Sequence, residues 1–306
     1  MRKENPITAW LRMQTGLGSG LTPESLAQWQ RERIRAVREY AGSHCRFYEK
    51  ERDFTTPEDL REDPEAFLCV PPKEIARIIT LRTSGSQGNP KRVFFTAEDL
   101  EATADFFTPG MALMTKPGQC VAVFMEGPGE YTIGGLLKKA LAKNQVECQV
   151  HGLIRDFEAA GKAAGGADCL VGIPGQLLRL SRLRPDLRPG AVLLSGDYVP
   201  ESVCRELKTV WETEVFHHWG MTETGYGGAV ECGAHAGGHL RHGDLYLEIV
   251  DPKTGKPVPA GSYGELVLTT FARRGMPLIR YRTGDIGRLL TGPCGCGDLL
   301  PRLDKV

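Results

Sequence analysis

Apolar residues recur at helical spacing through "LTPESLAQWQRERIRAVREY" (21–40), at Leu26, Trp29, Ile34, Val37 and Tyr40. Thr22 stands where an N-cap belongs and Pro23 at the first helical position, so a helix is expected here. "TTPEDL" repeats the device with Thr56, Pro57 and a capping-box acid at Asp59, and "TAEDL" repeats it with Thr96 and Asp99. Short apolar runs then alternate with helix-length segments: "VAVFM" (121–125), "CLVGI" (169–173), "AVLLS" (191–195) and "EVFHHW" (214–219). Strands separated by helices predict an α/β fold, layered sheets with helices, and a largely parallel sheet. From about Gly225 the pattern changes: glycine is dense and the runs "DLYLEIV" (244–250), "GELVLTT" (264–270) and "DIGRLL" (285–290) read as strands with little helix between them. The expected organisation is an α/β part over residues 1–224 and a β-rich subdomain over 225–306.

Composition narrows the function classes. The 306 residues are 41% hydrophobic, enough for a sizeable core, and Lys+Arg and Asp+Glu balance at 38 each, which argues against nucleic acid or an anionic membrane as partner. The basic stretch "LLRLSRLRPDLRP" (177–189) reads as a solvated helix end. No apolar run reaches the ~18 residues of a membrane span, and "MRKENPITAW" lacks the apolar heart of a signal peptide. Nine cysteines without an export signal read as reduced thiols, apart from a metal-binding subset, and imply a cytoplasmic address.

The stretch "TLRTSGSQGNPKRVFF" (80–95) packs hydroxyls, glycines and a lysine between two apolar runs. It reads either as a turn between strands or as a loop that wraps phosphates with backbone N–H groups, hydroxyls and a cation. The Walker spacing fails, because Pro90 stands where the second glycine is needed, and G-x-G-x-x-G fails as well. What remains, Thr83, Ser84, Gly85, Ser86, Gln87, Gly88, Asn89, Pro90 and Lys91, resembles the phosphate loop of the adenylate-forming superfamily, the acyl- and aryl-CoA synthetases. Three further segments support the resemblance: Trp219-Gly220-Met221-Thr222-Glu223, similar to the family's aromatic-Gly-x-Thr-Glu motif; "RYRTGDIG", with Asp285; and Ser195-Gly196-Asp197 at a strand end. "IRAVREYAGSHCRFYEK" and "IGGLLKKAL" look like the phenylacetate–CoA ligase branch. Gln87, Asn89 and Trp219 depart from the usual residues while keeping polarity or a stacking face.

The resemblance implies ATP and AMP as nucleotide ligands, held by Thr83, Ser84, Gly85, Ser86, Gly88, Lys91, Ser195, Gly196, Asp197, His218, Trp219, Gly220, Met221, Thr222, Asp285 and Arg302. In it Trp219 stacks on adenine, Asp285 accepts from the ribose hydroxyls, Arg302 lies near the ribose, and Glu223 holds Mg²⁺. Lys91, Thr222 and Glu223 carry the catalysis. The implied reaction activates a carboxylic acid as acyl-AMP and passes the acyl group to CoA or an acyl-carrier protein. The acid pocket is expected around 126–134 and 225–228. The family's mobile C-terminal domain, with a further lysine, is not found before the end of this sequence, so a partner subunit supplying it in trans is expected. A non-catalytic nucleotide-binding regulatory or scaffold subunit and an acyl-protein synthetase are the rival readings.

Cysteine spacing adds a metal. Cys232 and, after six intervening residues, His239, with Cys294 and Cys296 in "PCGC", supply four ligands suited to tetrahedral Zn²⁺, with His235 and His242 competing for the histidine position. Some relatives of the phenylacetate–CoA ligase branch carry a Cys/His set at these places. Four ligands close the shell, so the expected role is structural.

Overall fold

The structure, a computed structural model, describes residues 4–81 and 89–305. Its N-terminal helices follow their caps. α1 (Pro6–Thr15) starts at Asn5, whose side chain accepts from the Ile7 N–H, and α2 (Pro23–His44) starts at Thr22. α3 (Pro57–Glu62) and α4 (Ala97–Met111) have complete capping boxes, Thr56 with Asp59 and Thr96 with Asp99. Between α3 and α4, β1 (Ile75–Leu81) and β2 (Lys91–Thr96) form an antiparallel two-stranded ribbon.

The remaining strands make one eleven-stranded sheet. Its parallel half contains β3 (Cys120–Phe124), β4 (Glu147–Val150), β5 (Cys169–Gly172), β6 (Ala191–Leu194) and β7 (Glu214–Trp219), in the order β4-β3-β5-β6-β7. The crossovers are α5 (Ile133–Lys143), α6 (Phe157–Ala164), α7 (Pro174–Leu183) and α8 (Glu201–Trp211). Alternate strand residues feed opposite cores. Val121, Val123, Val171, Leu193 and Phe216 pack with α4 and α5, while Ala122, Phe124, Leu170, Val192 and Val215 pack with α6, α7 and α8. Burial on both faces explains why these strands read as unbroken apolar runs. The basic 177–189 stretch ends α7 in exposed ion pairs, Arg182 with Glu206 and Arg184 with Asp186.

At β7 the sheet turns antiparallel and continues through β8 (Ala229–Glu231), β9 (Gly238–Leu240), β13 (Arg302–Lys305), β12 (Tyr281–Leu290), β11 (Gly264–Thr270) and β10 (Leu245–Val250). The change of character at Gly225 therefore falls in the turn between β7 and β8, and the same core, with Val230, Leu240, Leu266 and Leu303, runs across it. No helix of the described residues is long and apolar enough to cross a membrane.

Candidate active site and metal centre

In an α/β sheet, ligands gather beyond the carboxyl ends of the parallel strands, where the connections diverge. Here β6 ends at Leu194 and β7 at Trp219, beside the junction of the two half-sheets, and the quoted motifs follow directly: Ser195-Gly196-Asp197 after β6, and Gly220 to Glu223 after β7. Thr222–Thr224 forms a single 3₁₀ turn, closed by Gly225 in the left-handed region at φ 72°. Gly220 is needed for packing, since a Cβ there would lie 2.4 Å from the Tyr226 carbonyl oxygen and 2.7 Å from Cε1 of His218.

The phosphate-loop residues Thr83, Ser84, Gly85, Ser86 and Gly88 lie outside the described residues. Their flanks are clear. β1 and β2 pair antiparallel, with Leu81 opposite Lys91. Lys91 opens β2, and its ammonium reaches back to Glu223 Oε1. Both side chains are buried, Glu223 to 1% exposure. The Tyr281 hydroxyl donates to the same carboxylate oxygen at 2.7 Å and lies 3.4 Å from Lys91 Nζ. Burial and the neighbouring Glu223 charge push the Tyr281 phenol upward, so it stays protonated and donating. Arg273 is buried nearby, stacked 4.6 Å from the Phe95 ring, and burial brings its guanidinium down to about 10. Sequence reasoning missed Tyr281, although it stands in the quoted "RYRTGDIG", four residues before Asp285.

The Trp219 indole N–H donates to Asp285 Oδ2 at 2.9 Å, while Lys305 Nζ lies 3.2 Å from Oδ1. The indole lies against Gly228, where a Cβ would meet ring atoms at 2.5 Å. Asp197, Trp219 and Lys305 line one wide cleft. Arg302 is not brought there: it sits opposite His239 in the β13–β9 ladder, and its buried guanidinium donates to the carbonyls of Ala236 and Gly292. The alternation of β13 decides this, because residues 302 and 305 face opposite sides of the sheet. The cation beside Asp285 is Lys305.

His218, next to Trp219 on β7, lines that cleft as well. It also borders a second cavity, lined by Phe106, Phe107 and Met111 of α4, with Met125, Ile133, Ser195 and Tyr226. Burial lowers its pKa to about 4, so the ring is neutral, with Nδ1 3.0 Å from Ser195 Oγ. The expected acid-pocket segments contribute Ile133 and Tyr226. The α4 wall was not anticipated, because its apolar positions read equally as core.

The four metal-ligand candidates converge: one ligand atom from each of Cys232, His239, Cys294 and Cys296 lies within 4.8 Å of the others. Cys232 and Cys294 sulfurs are 3.7 Å apart, and His239 Nε2 is 3.6 Å from Cys296 Sγ. His239 Nδ1 is 2.8 Å from an Asp298 carboxylate oxygen, the partner that orients a metal-bound imidazole. Asn5, the cap of α1, reaches Cys296 Sγ at 3.2 Å. The rivals are engaged elsewhere, His235 with Glu231 and His242 with the Pro301 carbonyl.

The family model described as "AMP-binding enzyme" matches residues 135–271. The chain is 28% identical to a phenylacetate–coenzyme A ligase of Thermus thermophilus, over 94% of this chain and 71% of that one. It is 30% identical to the Escherichia coli enzyme of that name, over 82% and 59%. The chain thus spans between about half and three quarters of the curated relatives' length. Among solved structures, an open form of 2-hydroxyisobutyryl-CoA ligase in complex with 2-HIB-AMP and CoA shares the fold, with TM-score 0.78 at 20% identity over 90% of this chain and 73% of that one. Sequence relatives, family match and mixed sheet point the same way: the chain is similar to AMP-binding enzymes and, over most of its length, to phenylacetate–coenzyme A ligases.

Proposed function

We propose that the cleft beyond β6 and β7 binds ATP and activates a carboxylic acid as an acyl adenylate, for ligation to coenzyme A or a carrier thiol. The convergence of Lys91, Glu223 and Tyr281 beside the Trp219–Asp285 pair carries this reading. In the reaction, a carboxylate oxygen bonds to the α-phosphorus as the bond to pyrophosphate breaks. The thiol then takes the acyl carbon and AMP leaves. The nucleophile is already ionised, so the protein's work is positioning and charge neutralisation.

In this reading Thr222 donates to the α-phosphate and Lys91 turns from Glu223 to phosphate oxygens. Ser195, Gly196, Asp197, Gly220 and Met221 frame the base. The Asp285 carboxylate exchanges its bonds with Trp219 and Lys305 for the ribose hydroxyls. Glu223 fits magnesium as one buried carboxylate whose Oε1 already sits with a cation, so phosphates and water would complete the shell. Mg²⁺ supplies charge neutralisation on the phosphates when bound. A further lysine and the acceptor surface are assigned to a mobile domain or a partner subunit. Residues 1–224 hold the base and acid sides of the site and 225–306 the ribose side and the metal, and the address is cytoplasmic.

Structural zinc at Cys232, His239, Cys294 and Cys296 belongs to the same reading. Two thiolates from the "PCGC" turn, one from the β8 end and an imidazole on β9 would tie the antiparallel strands together and leave no ligand position open. Protein purified without chelator or added zinc should contain one Zn²⁺ per chain, and clearly less overturns the assignment. The function is tested by pyrophosphate release across aromatic and aliphatic acids with ATP and Mg²⁺. Nucleotide binding without release for any acid would favour a non-catalytic nucleotide-binding subunit.

A further inference from the structure

Among the described residues, the cavity between α4 and the ends of β6 and β7 is apolar apart from three side chains, Ser195, His218 and Tyr226. Two of these are satisfied within the protein. The Tyr226 hydroxyl accepts from Arg77 Nε at 3.1 Å, and Ser195 Oγ pairs with His218 Nδ1. His218 Nε2 is buried with no hydrogen-bond partner among the described residues. An unmet ring nitrogen in an otherwise apolar wall is costly unless a ligand meets it. Its position is rigidly set: Gly220 leaves space only for the ring beside it, Ser195 holds the other nitrogen, and the Phe107 ring stands edge-on at 6.5 Å.

We propose that this cavity selects an aryl or arylalkyl carboxylic acid bearing an uncharged hydroxyl, and that His218 Nε2 is the specificity-determining group that meets the hydroxyl. The inference rests on the adenylating function proposed above and names the acid of that site. The aromatic walls of Phe106, Phe107 and Tyr226 fit a ring. Among the described residues no charged side chain lines the cavity, so the acid's carboxylate stays outside and the far end of the molecule enters. A hydroxyl suits either tautomer of the imidazole, because it can donate or accept. Burial of the ring as a neutral base agrees with an uncharged partner.

The probes are phenylacetate and its 2-, 3- and 4-hydroxy derivatives, with pyrophosphate release as readout. One hydroxy isomer should exceed phenylacetate in kcat/KM by about 100-fold or more, since a site built to hydrogen-bond a hydroxyl rejects the analogue lacking it. His218→Leu should reduce that ratio to within about threefold, and His218→Gln, which keeps a hydrogen-bonding end, should retain part of the preference. A merely structural role would lower all four acids together. That outcome, or a wild-type protein indifferent to the hydroxyl, overturns the inference and leaves adenylation standing. Calorimetric titration of the same acids into AMP-loaded protein makes the test independent of turnover. Failure of every acid to bind a protein that binds AMP overturns the inference, and failure to bind AMP as well removes the functional reading beneath it.

Discussion

The two sides of the cleft meet their polar groups in opposite ways. On the side proposed for the nucleotide, two carboxylates are each met by two internal partners: Glu223 by Lys91 and Tyr281, Asp285 by Trp219 and Lys305. Ligands must enter by exchange, and the protein holds its charges ready because buried ions cannot wait unpaired. On the side proposed for the acid the wall is mostly hydrocarbon, and one nitrogen, His218 Nε2, has no partner among the described residues. A neutral group can wait at modest cost, and the deficit itself states what the ligand brings. Charged groups thus reveal little about the ligand's identity, whereas a single unmet neutral atom reveals more.

The strongest way to break this comparison is Glu223→Gln. Removing the carboxylate should slow adenylation by about a hundred- to a thousandfold. Because the pair is buried, it should also destabilise the fold by about 3 kcal/mol by stranding Lys91. Adding Lys91→Met should restore much of the stability and none of the rate, as followed by thermal denaturation beside pyrophosphate release. A single variant as stable as the parent would show that the pair does not exist in solution.

His218 supplies the next effect. Its folded pKa of about 4 lies below the ordinary 6.5, so the unfolded chain binds more protons between these values. The stability due to burying the neutral ring is therefore full above about pH 6.5 and is lost as pH falls toward 4, on the order of 3 kcal/mol in all. Chemical denaturation from pH 7 to 4 should show this slope, and His218→Leu should flatten it.

Lys91→Ala separates phosphates from base. If Lys91 leaves Glu223 for the β- and γ-phosphates, the variant should weaken ATP by roughly 1.5–3 kcal/mol and leave AMP nearly unchanged. Equal losses for both nucleotides would mean that the lysine serves the fold. Asp285→Ala should do the reverse, weakening ATP and AMP alike by about 1–3 kcal/mol through the unpaired ribose hydroxyls. Calorimetry of both variants decides between exchange and a static framework.

What the sequence determined by itself is local. Capping residues at Thr22, Thr56 and Thr96 placed helix starts, because a hydroxyl meeting N–H groups two or three residues on is a short-range interaction. The apolar runs of β3, β5, β6 and β7 marked the parallel strands, because burial on both faces leaves no alternation to disguise them. The quoted motifs fall together at the ends of β6 and β7, and the spaced Cys232, His239, Cys294 and Cys296 converge. Strands such as β4, β8, β9 and β13, three or four residues long, carry too few positions to show a period, and only pairing with distant neighbours makes them strands. The tertiary structure also decided direction. Adjacent residues on β7 send Trp219 to Asp285 and His218 to the apolar cavity. Register on β13 gives Lys305, not Arg302, to Asp285, and the sheet puts His239 rather than His235 or His242 among the three sulfurs. Which face a residue presents depends on the partner across the sheet, often a hundred or more residues away, and that information is absent from any short stretch of chain.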